Sequence, residues 1–300
     1  MRRVLLTGAS GFIGRHALEP LVEQGFEVHA VYHDHPLEHP GVIWHKADLL
    51  DKAAAAGLCA ELRATHLLHL AWYVDPKDYK TSPENARWVD ATLALVRAFR
   101  ENGGTRATLA GTCMEYDWTV SQETLSEDAS PIWPATPYGI AKHETHLACE
   151  EYAKENGLSL AWGRIFFLYG PHEAQARLVP LAIHSLLEAK APRITAGGLV
   201  RDYSYVGDIA GAFAVLVDSN VTGAVNIASG TPTTLKDIVV SIAQMVGKPE
   251  VAEAIPEVIP DGEPARIVAD VSRLREEVGW TSRYDLRKGL EETIEWWKEA

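Results

Sequence analysis

The sequence predicts an α/β fold, in which a doubly wound parallel sheet is joined to a smaller C-terminal lobe. The first observation is that short apolar runs alternate with segments long enough for helices over the first two thirds of the chain. Such alternation is typical of parallel strands with right-handed helical crossovers. The second is that, after about Pro171, prolines and the Gly197-Gly198 pair divide the chain into short pieces, which indicates a less regular lobe.

Five apolar runs of strand length carry the prediction of a parallel sheet. They cover residues 4–7, 27–31, 66–70, 107–110 and 160–164. The change of pattern after them predicts two domains. The first comprises residues 1–170 with about 206–228, and the second comprises residues 171–205 and 229–300.

Composition excludes several classes of protein. At 300 residues with 47% hydrophobic content, the chain can bury a full core. Its formal net charge of -13, without a basic stripe, argues against nucleic acid or an anionic membrane as partner. Cys59, Cys113 and Cys149 lack disulfide or metal-ligand spacing, which favours a reducing compartment such as the cytoplasm. We find no signal-peptide pattern and no spanning apolar run, so we expect neither export nor membrane insertion.

A glycine-rich loop follows the first predicted strand and precedes an amphipathic segment. Gly8 permits a tight turn, Gly11 lets a pyrophosphate approach the backbone, and Gly14 allows close packing of the following helix. The N-terminus of that helix then faces the anion, with Phe12 and Ile13 beside it. This context favours a dinucleotide-binding first domain of the Rossmann type. The alternative is a purely structural strand-turn-helix corner.

The end of the second strand normally decides between NAD and NADP, because an acidic side chain there binds ribose hydroxyls and repels a 2'-phosphate. Tyr32 holds that place here, and Asp34 lies two residues beyond it. His33 and Arg15 could meet a phosphate, so the pattern favours NADP over NAD. Two alternatives remain open: a shifted loop could bring Asp34 to the ribose, or these could be solvated turn residues.

Tyr138 and Lys142 stand four residues apart in a predicted helix, which places them on one face. The lysine charge is expected to lower the pKa of the tyrosine, which would make the phenol a usable general acid or base. Thr112 follows the 107–110 strand, at the sheet edge where ligands bind. Hydride transfer at a carbinol carbon needs such a phenol and hydroxyl beside the nicotinamide. Thr112 alone could also be a capping or turn residue.

These motifs, in this order along the chain, resemble the extended short-chain dehydrogenase/reductases. The resemblance implies that Tyr138 is the acid/base, that Lys142 binds the nicotinamide ribose, and that Thr112 bonds the reacting oxygen. It also implies that the cofactor lies against Asp48, Leu49, Leu70 and Ala71. The matching segments are Thr7-Gly-Ala-Ser-Gly-Phe-Ile-Gly14, Asp48-Leu49, His69-Leu-Ala71, Tyr169-Gly-Pro171 and Arg201-Asp-Tyr-Ser-Tyr-Val-Gly-Asp208.

In this family, the C-terminal lobe holds a nucleotide sugar. The resemblance implies that Arg201 binds the diphosphate of that substrate, with Arg177 and Arg266 as weaker candidates. Phe167 replaces an asparagine that is usual shortly before Tyr-Gly-Pro in the family. This departure indicates a different substrate pose.

The residues after the predicted catalytic threonine bear on the reaction. Family members that eliminate water carry an acidic pair there, whereas this chain has Cys113 and Met114, so dehydration is disfavoured. Strand-like alternation is expected to point Glu115, the nearest carboxylate, away from the cleft. We expect Cys113 and Met114 to contact the substrate. Trp72 and Tyr73 could stack on its base or sugar, and core packing is the alternative.

We expect an NAD(P)H-dependent enzyme that reduces a nucleotide-linked 4-keto-6-deoxyhexose to the alcohol. The 111–116 and 162–171 segments most resemble the ketoreductases of deoxysugar and O-antigen pathways. The alternatives are a 4-epimerase with retained NAD and a non-catalytic dinucleotide-sensing module. The helices at 84–100 and 142–152 are expected to pair across a homodimer axis, unless they are buried within one subunit. We expect no metal site, since His33, His35, His39, His45, His66 and His69 lack ligand spacing.

Overall fold

The computed structural model describes residues 2–120, 122–252 and 255–300. Its larger sheet consists of parallel strands. They are β1 (Arg3–Thr7), β2 (Glu27–Tyr32), β3 (Val42–Lys46), β4 (His66–His69), β5 (Arg106–Thr112), β6 (Ser159–Ile165) and β9 (Gly223–Ile227). Numbered along the chain, these seven lie in the order β3-β2-β1-β4-β5-β6-β9. The chain reverses its direction of winding between β1 and β4, which places a crevice at their carboxyl ends.

Helices cover both faces of this sheet. The helices α1 (Gly14–Glu23) and α6 (Val206–Asp218) pack on one face. The other face carries α2 (Lys52–Leu62), α3 (Glu84–Glu101) and α4 (Pro137–Asn156). Leu18, Leu21 and Phe213 are buried on the first face, and Leu95 and Phe99 are buried on the second. Burial of this apolar surface is the main term that stabilises the fold.

The helix α4 has clear start and stop signals. The Thr136 hydroxyl accepts a hydrogen bond from the Gly139 N–H at 3.1 Å, and Pro137 occupies the first turn, where no backbone donor is needed. Gly157 ends the helix in the left-handed conformation, at a φ of 62°. This start places Tyr138 in the first turn and Lys142 one turn later, and both side chains are buried.

A smaller sheet and further helices form the rest of the described chain. The strands are β7 (Phe167–Tyr169), β8 (Val200–Tyr205), β10 (Pro232–Thr234) and β11 (Arg266–Ile267), and β8 is parallel to β7 and β11 but antiparallel to β10. The helices are α5 (Leu178–Leu187), α7 (Leu235–Met245), α8 (Pro249–Ala252), α9 (Ser272–Glu276) and α10 (Leu286–Glu299). The buried carboxylate of Asp202 anchors β8, because it accepts hydrogen bonds from the N–H groups of Ser229 and Gly230 at 3.0 and 2.9 Å.

The predicted fold class is confirmed, and all five predicted strands are present. The strands β3 and β9 were not predicted. β3 lies at the sheet edge and is half exposed, so no apolar run marks it. β9 contains Asn226, whose buried amide donates to the carbonyls of Leu125 and Asp270. The division into two domains stays a prediction, and β7, which was assigned to the first domain, pairs with β8 of the smaller sheet.

Cys59, Cys113 and Cys149 are all free and buried. None of the helices in the described ranges combines the length and the apolar content needed to cross a bilayer.

Candidate active site

A cavity of about 1270 Å³ opens at the carboxyl ends of the central strands. We call its wall around segments 8–14, 31–34, 47–50 and 70–71 the cofactor half, and its wall around segments 72–80, 165–178 and 201–203 the substrate half. Every residue predicted to bind the cofactor lies on the cavity wall. They are Gly8, Gly11, Phe12, Ile13, Gly14, Tyr32, His33, Asp48, Leu49, Leu70, Ala71, Tyr138 and Lys142.

The glycine loop has the tight geometry that the sequence predicts. Gly8 has a φ of 68°, and a Cβ there would lie 2.8 Å from the Ala71 backbone nitrogen. A Cβ on Gly14 would lie 2.1 Å from the Gly8 carbonyl oxygen. Gly11 is exposed on the cavity wall, three residues before α1 begins. A pyrophosphate can therefore approach the backbone at a helix N-terminus, and the residues present fit a dinucleotide.

The end of β2 forms the outer part of the cofactor half. The His33 Nδ1 atom lies 2.9 Å from the Asp34 carboxylate, and these side chains are 69% and 80% exposed. Tyr32, before them, is half buried. The Arg15 guanidinium donates to the carbonyl of Ser10 at 3.0 Å. The groups that were predicted to meet a 2'-phosphate are thus partnered within the protein.

The three predicted catalytic residues converge on one wall of the cavity. Thr112 ends β5, and Tyr138 and Lys142 come from the first turns of α4. The Lys142 ammonium donates to the Ala110 carbonyl at 2.9 Å. It also lies 3.8 Å from the centroid of the Trp72 ring and 6.0 Å from that of the Tyr138 ring. A hydroxyl, a phenol and an ammonium group therefore share one wall of the cavity.

Burial dominates the ionisation of this group of residues. It lowers the pKa of Lys142 to about 7, although the Glu115 carboxylate acts in the opposite direction. Burial raises the pKa of the Tyr138 phenol, Tyr79 adds to this effect, and the Thr112 hydroxyl opposes it. The expectation of a lowered phenol pKa is therefore wrong for the protein's own groups, because a buried phenolate loses its hydration.

Most of the residues predicted to contact substrate also line the cavity. Arg266 is the exception. It lies on β11, where its Nε donates to the Glu123 carbonyl at 2.7 Å, and it is not on the cavity wall. The structure does not support a substrate contact for this arginine. The residues that do line the cavity are Trp72, Tyr73, Cys113, Met114, Phe167, Arg177 and Arg201.

The two arginines of the substrate half differ in their availability. Arg201 is buried, and its Nη1 donates to the carbonyls of Val200 and Pro264, each at 2.9 Å. The Arg177 guanidinium lies 5.0 Å from the centroid of the Tyr79 ring and forms no ion pair with the described residues. Arg177, which the sequence ranked lower, is therefore the freer cation for an anionic ligand.

A short 3-10 turn, Cys113–Glu115, follows β5 and decides which side chains reach the cavity. Cys113 and Met114 line it, and burial raises the pKa of the Cys113 thiol, which makes proton transfer by this group unfavourable. Glu115 is fully buried and forms an ion pair with Arg164, with 3.0 Å between the Oε2 and Nε atoms. Glu115 points away from the cavity as expected, but the turn causes this and not strand alternation.

Three residues of the substrate half were missed by the sequence analysis. The Tyr79 ring meets the Tyr138 ring edge-on, with 5.1 Å between centroids, and Tyr203 lies 5.5 Å from the Phe167 ring. Glu173 is buried, and its Oε2 atom has no hydrogen-bond partner among the described residues. Burial raises the pKa of this carboxyl to about 8. Glu173 closely follows Tyr169-Gly-Pro171, a signal that could have identified it, whereas Tyr79 lies in a loop without a motif.

A cluster of polar groups behind Thr112 was also missed. Glu115, His143 and His146 offer ligand atoms within 4.8 Å of one another. The His146 ring stacks on Trp162, with 4.9 Å between centroids. Because the Arg164 guanidinium already pairs with Glu115, a divalent cation there would meet a second positive charge. The absence of a metal site stays a prediction.

Comparison with known proteins agrees with this geometry. The model of the NAD dependent epimerase/dehydratase family matches residues 4–228. UDP-glucuronic acid decarboxylase 1 of Danio rerio is 25% identical over 98% of this chain and 72% of its own length. UDP-glucose 4-epimerase of Mycolicibacterium smegmatis is 27% identical over 99% of this chain and 98% of its own. The solved structure of Thermus thermophilus UDP-glucose 4-epimerase in complex with NAD is 27% identical, with a TM-score of 0.85 over 99% of each chain.

The match to the family model spans the glycine loop and all three converging residues. The similarity to the solved structure extends through both sheets, so it includes the C-terminal lobe. This chain is an enzyme of the extended short-chain dehydrogenase/reductase type and belongs to the NAD dependent epimerase/dehydratase family.

Proposed function

We propose that the protein reduces a nucleotide-linked 4-keto-6-deoxyhexose to the corresponding alcohol with NAD(P)H. The observation that carries this proposal is the convergence of the Thr112 hydroxyl, the Tyr138 phenol and the Lys142 ammonium in one cavity. Because burial raises the pKa of Tyr138, the phenol is protonated at neutral pH, which suits an acid that protonates an alkoxide. Cys113 and Met114 provide no acid/base pair for elimination of water.

The chemistry divides between the cofactor and these side chains. The reduced nicotinamide, when bound, supplies a hydride to the keto carbon. The Thr112 hydroxyl donates a hydrogen bond to the keto oxygen as negative charge develops there. Tyr138 transfers its proton to that oxygen, which completes the alcohol, and the Lys142 ammonium stabilises the phenolate that remains.

A turnover assay tests this proposal. The purified protein is mixed with NADH or NADPH and a panel of nucleotide-linked 4-keto-6-deoxy sugars, and oxidation of the cofactor is followed by absorbance. We expect substrate-dependent oxidation that Tyr138→Phe abolishes. Tyr152→Phe, on the same helix but outside the cavity, serves as the matched control and should retain activity. Oxidation that persists in Tyr138→Phe would contradict the assigned role of the phenol.

A reductase needs a cofactor that exchanges after each turnover. The exposed side chains of His33 and Asp34 at the outer end of the cofactor half support such exchange. The sequence favoured NADP, but His33 lies against Asp34 and Arg15 donates to the Ser10 carbonyl. We therefore propose that NAD(H) is bound at least as tightly as NADP(H). A Kd for NADPH about tenfold below that for NADH would overturn this preference.

A 4-epimerase is the second candidate. It is favoured by the likeness to UDP-glucose 4-epimerases that are 27% identical over nearly the whole chain. An epimerase uses the same acid/base but returns the hydride to the sugar, so no net oxidation of the cofactor occurs. NAD that copurifies with the protein, together with a product isomeric with an added nucleotide sugar, would establish the epimerase and exclude the reductase.

We also propose that the enzyme is a cytoplasmic homodimer. Helices α3 and α4 pack against each other, and α4 exposes Ile140 and Leu147, which are 42% and 51% accessible. An apolar patch on paired helices suits a second copy of the chain. Sedimentation should give a dimer for the wild type and a monomer for Leu147→Glu. A monomeric wild type at micromolar concentration would rule this assembly out.

A further inference from the structure

One buried charge near the active site has no part in the mechanism above. Glu115 is fully buried in the 3-10 turn behind the cavity. Its Oε2 atom accepts from Arg164 Nε at 3.0 Å, and its Oε1 atom accepts from Trp162 Nε1 at 2.8 Å. A buried carboxylate is costly unless it is paired and hydrogen-bonded in this way. Its orientation is therefore fixed from several directions.

Another contact of Glu115 reaches the catalytic threonine. The backbone N–H of Thr112 donates to the Glu115 Oε1 atom at 2.9 Å, and the Thr112 hydroxyl accepts from the Met114 N–H at 3.2 Å. These reciprocal bonds form a capping box that sets the direction of the threonine side chain. Gly111 makes the arrangement possible, because a Cβ there would lie 2.7 Å from the same carboxylate oxygen.

The charge of Glu115 also lies against the helix that carries Lys142, because its Oε2 atom is 3.9 Å from the Nδ1 atom of His146, one turn further along α4. Burial lowers the pKa of that lysine, and Glu115 is the group that raises it. Burial lowers the pKa of His69 to about 3 and that of His146 to about 4, so both rings are neutral near pH 7. The titratable and charged groups that face the pair are Arg164 from β6, His69 from β4, Tyr138, His143 and His146 from α4, and Cys113 and Tyr116 at the turn.

We propose that Glu115 is a positioning residue of the active site: it holds Thr112 from behind through a hydrogen bond and places a buried negative charge against α4, the helix that carries Lys142. This role rests on the proposed function of Thr112 and Lys142, and it applies to a reductase and an epimerase alike. Glu115 never touches the substrate or the cofactor in this account, since it lies outside the cavity wall. Glu115 acts through its hydrogen bond to the Thr112 N–H and through the electrostatic effect of its charge on Lys142.

Glu115→Gln tests the proposal because it preserves the shape of the side chain and removes its charge. We expect kcat to fall about tenfold or more with little change in the substrate KM. We also expect the alkaline limb of the kcat/KM profile to move to lower pH, because Lys142 then loses its proton more readily. A lower kcat with an unmoved pH profile would show a structural role only and would overturn the proposal.

Two further variants separate charge from shape. Glu115→Gln leaves Arg164 unpaired, which could destabilise the core. The double variant Glu115→Gln/Arg164→Gln removes both buried charges and should still show the acid-shifted limb. Trp162→Phe deletes one hydrogen bond to the carboxylate and keeps its charge, so its pH profile should match the wild type. If Trp162→Phe moved the alkaline limb of the kcat/KM profile as far as Glu115→Gln does, the electrostatic effect of Glu115 on Lys142 would be contradicted.

A measurement without substrate distinguishes failure of this inference from failure of the proposed function. The ionisation of Lys142 is followed by NMR in protein with carbon-labelled lysine, and Lys142→Met identifies its signal. We expect a lower titration midpoint in Glu115→Gln than in the wild type. An equal midpoint overturns the inference even where turnover is observed. A lowered midpoint in an enzyme that reduces no 4-keto sugar upholds it and rejects only the proposed reaction.

Discussion

The cofactor half and the substrate half of the cavity are built in different ways. The cofactor half follows the ends of parallel strands, and at Gly8 and Gly14 it leaves no room for a Cβ. The substrate half consists of side chains from separate segments, among them Tyr79, Glu173 and Arg177. Steric fit thus limits the first half, whereas the second half presents charged and polar side chains that have few partners among the described residues. Substitutions in the two halves should therefore impair different properties of the enzyme.

The largest effect is expected where the halves meet, at Lys142. Lys142→Met should lower kcat by about 100-fold or more, because the charge that stabilises the Tyr138 phenolate is lost. Stability should be unchanged or greater, since a buried ammonium is costly. Steady-state kinetics and urea unfolding measure both quantities. Lys154→Met, exposed on the same helix, is the control, and equal kcat values for the two variants would refute the role.

A second prediction concerns the cofactor half, where steric fit is tight. Gly14→Ala places a methyl group 2.1 Å from the Gly8 carbonyl oxygen, so the loop must deform. We expect a loss of about 2–3 kcal/mol in the free energy of unfolding and a strong loss of cofactor affinity. Gly57→Ala, on α2 with nothing within 4 Å of the new methyl group, should instead stabilise the protein by up to about 1 kcal/mol. Wild-type cofactor affinity in Gly14→Ala would show that the loop is not tight.

The matching prediction for the substrate half concerns Arg177. Arg177→Met should raise the KM for a nucleotide sugar by about tenfold or more and leave cofactor affinity unchanged, because a charge-assisted bond to the substrate is lost. Arg287→Met, exposed on α10, is the control and should alter neither quantity. If Arg177→Met weakened cofactor binding as much as it raised the KM for the nucleotide sugar, the division of the cavity into two halves would be incorrect.

The last prediction concerns the pH dependence of stability. The pKa of Glu173 is raised by burial from 4.5 to about 8, so the folded protein keeps this carboxyl neutral where the unfolded chain ionises it. Its contribution to stability is therefore present below about pH 4.5 and is lost as the pH rises towards 8. Glu173→Gln removes this dependence, so the variant should gain stability relative to the wild type across that window. If Glu173→Gln and the wild type differed in the free energy of unfolding by the same amount at pH 5 and at pH 8, the raised pKa of Glu173 would be disproved.

The same contrast explains what could be predicted from the sequence. The cofactor half is marked by contiguous motifs: a glycine spacing, a strand end and a Tyr138 to Lys142 spacing fixed by one helix. These local patterns determine the geometry directly, and all of the predicted cofactor residues line the same cavity.

The substrate half could be predicted only in part, because its residues converge through tertiary packing. Tyr79 reaches Tyr138 from a loop without a motif, and Arg266 is held at Glu123 by the pairing of β11 with β8. The direction of the Tyr138 pKa also depends on burial, which no spacing along the chain reveals. The contacts of Glu115 with Thr112 and Arg164 were hidden for the same reason, since the 3-10 turn after Thr112 was not predicted.

The reaction that we propose for this cavity is hydride transfer to C4 of a nucleotide-linked sugar. Its most direct test is turnover with NADH or NADPH deuterated at the transferring position, with the label in the product located by NMR. We predict deuterium at C4 of the alcohol with the wild type and no labelled product with Tyr138→Phe. Deuterium at another carbon, or labelled alcohol formed equally by Tyr138→Phe, would contradict the account.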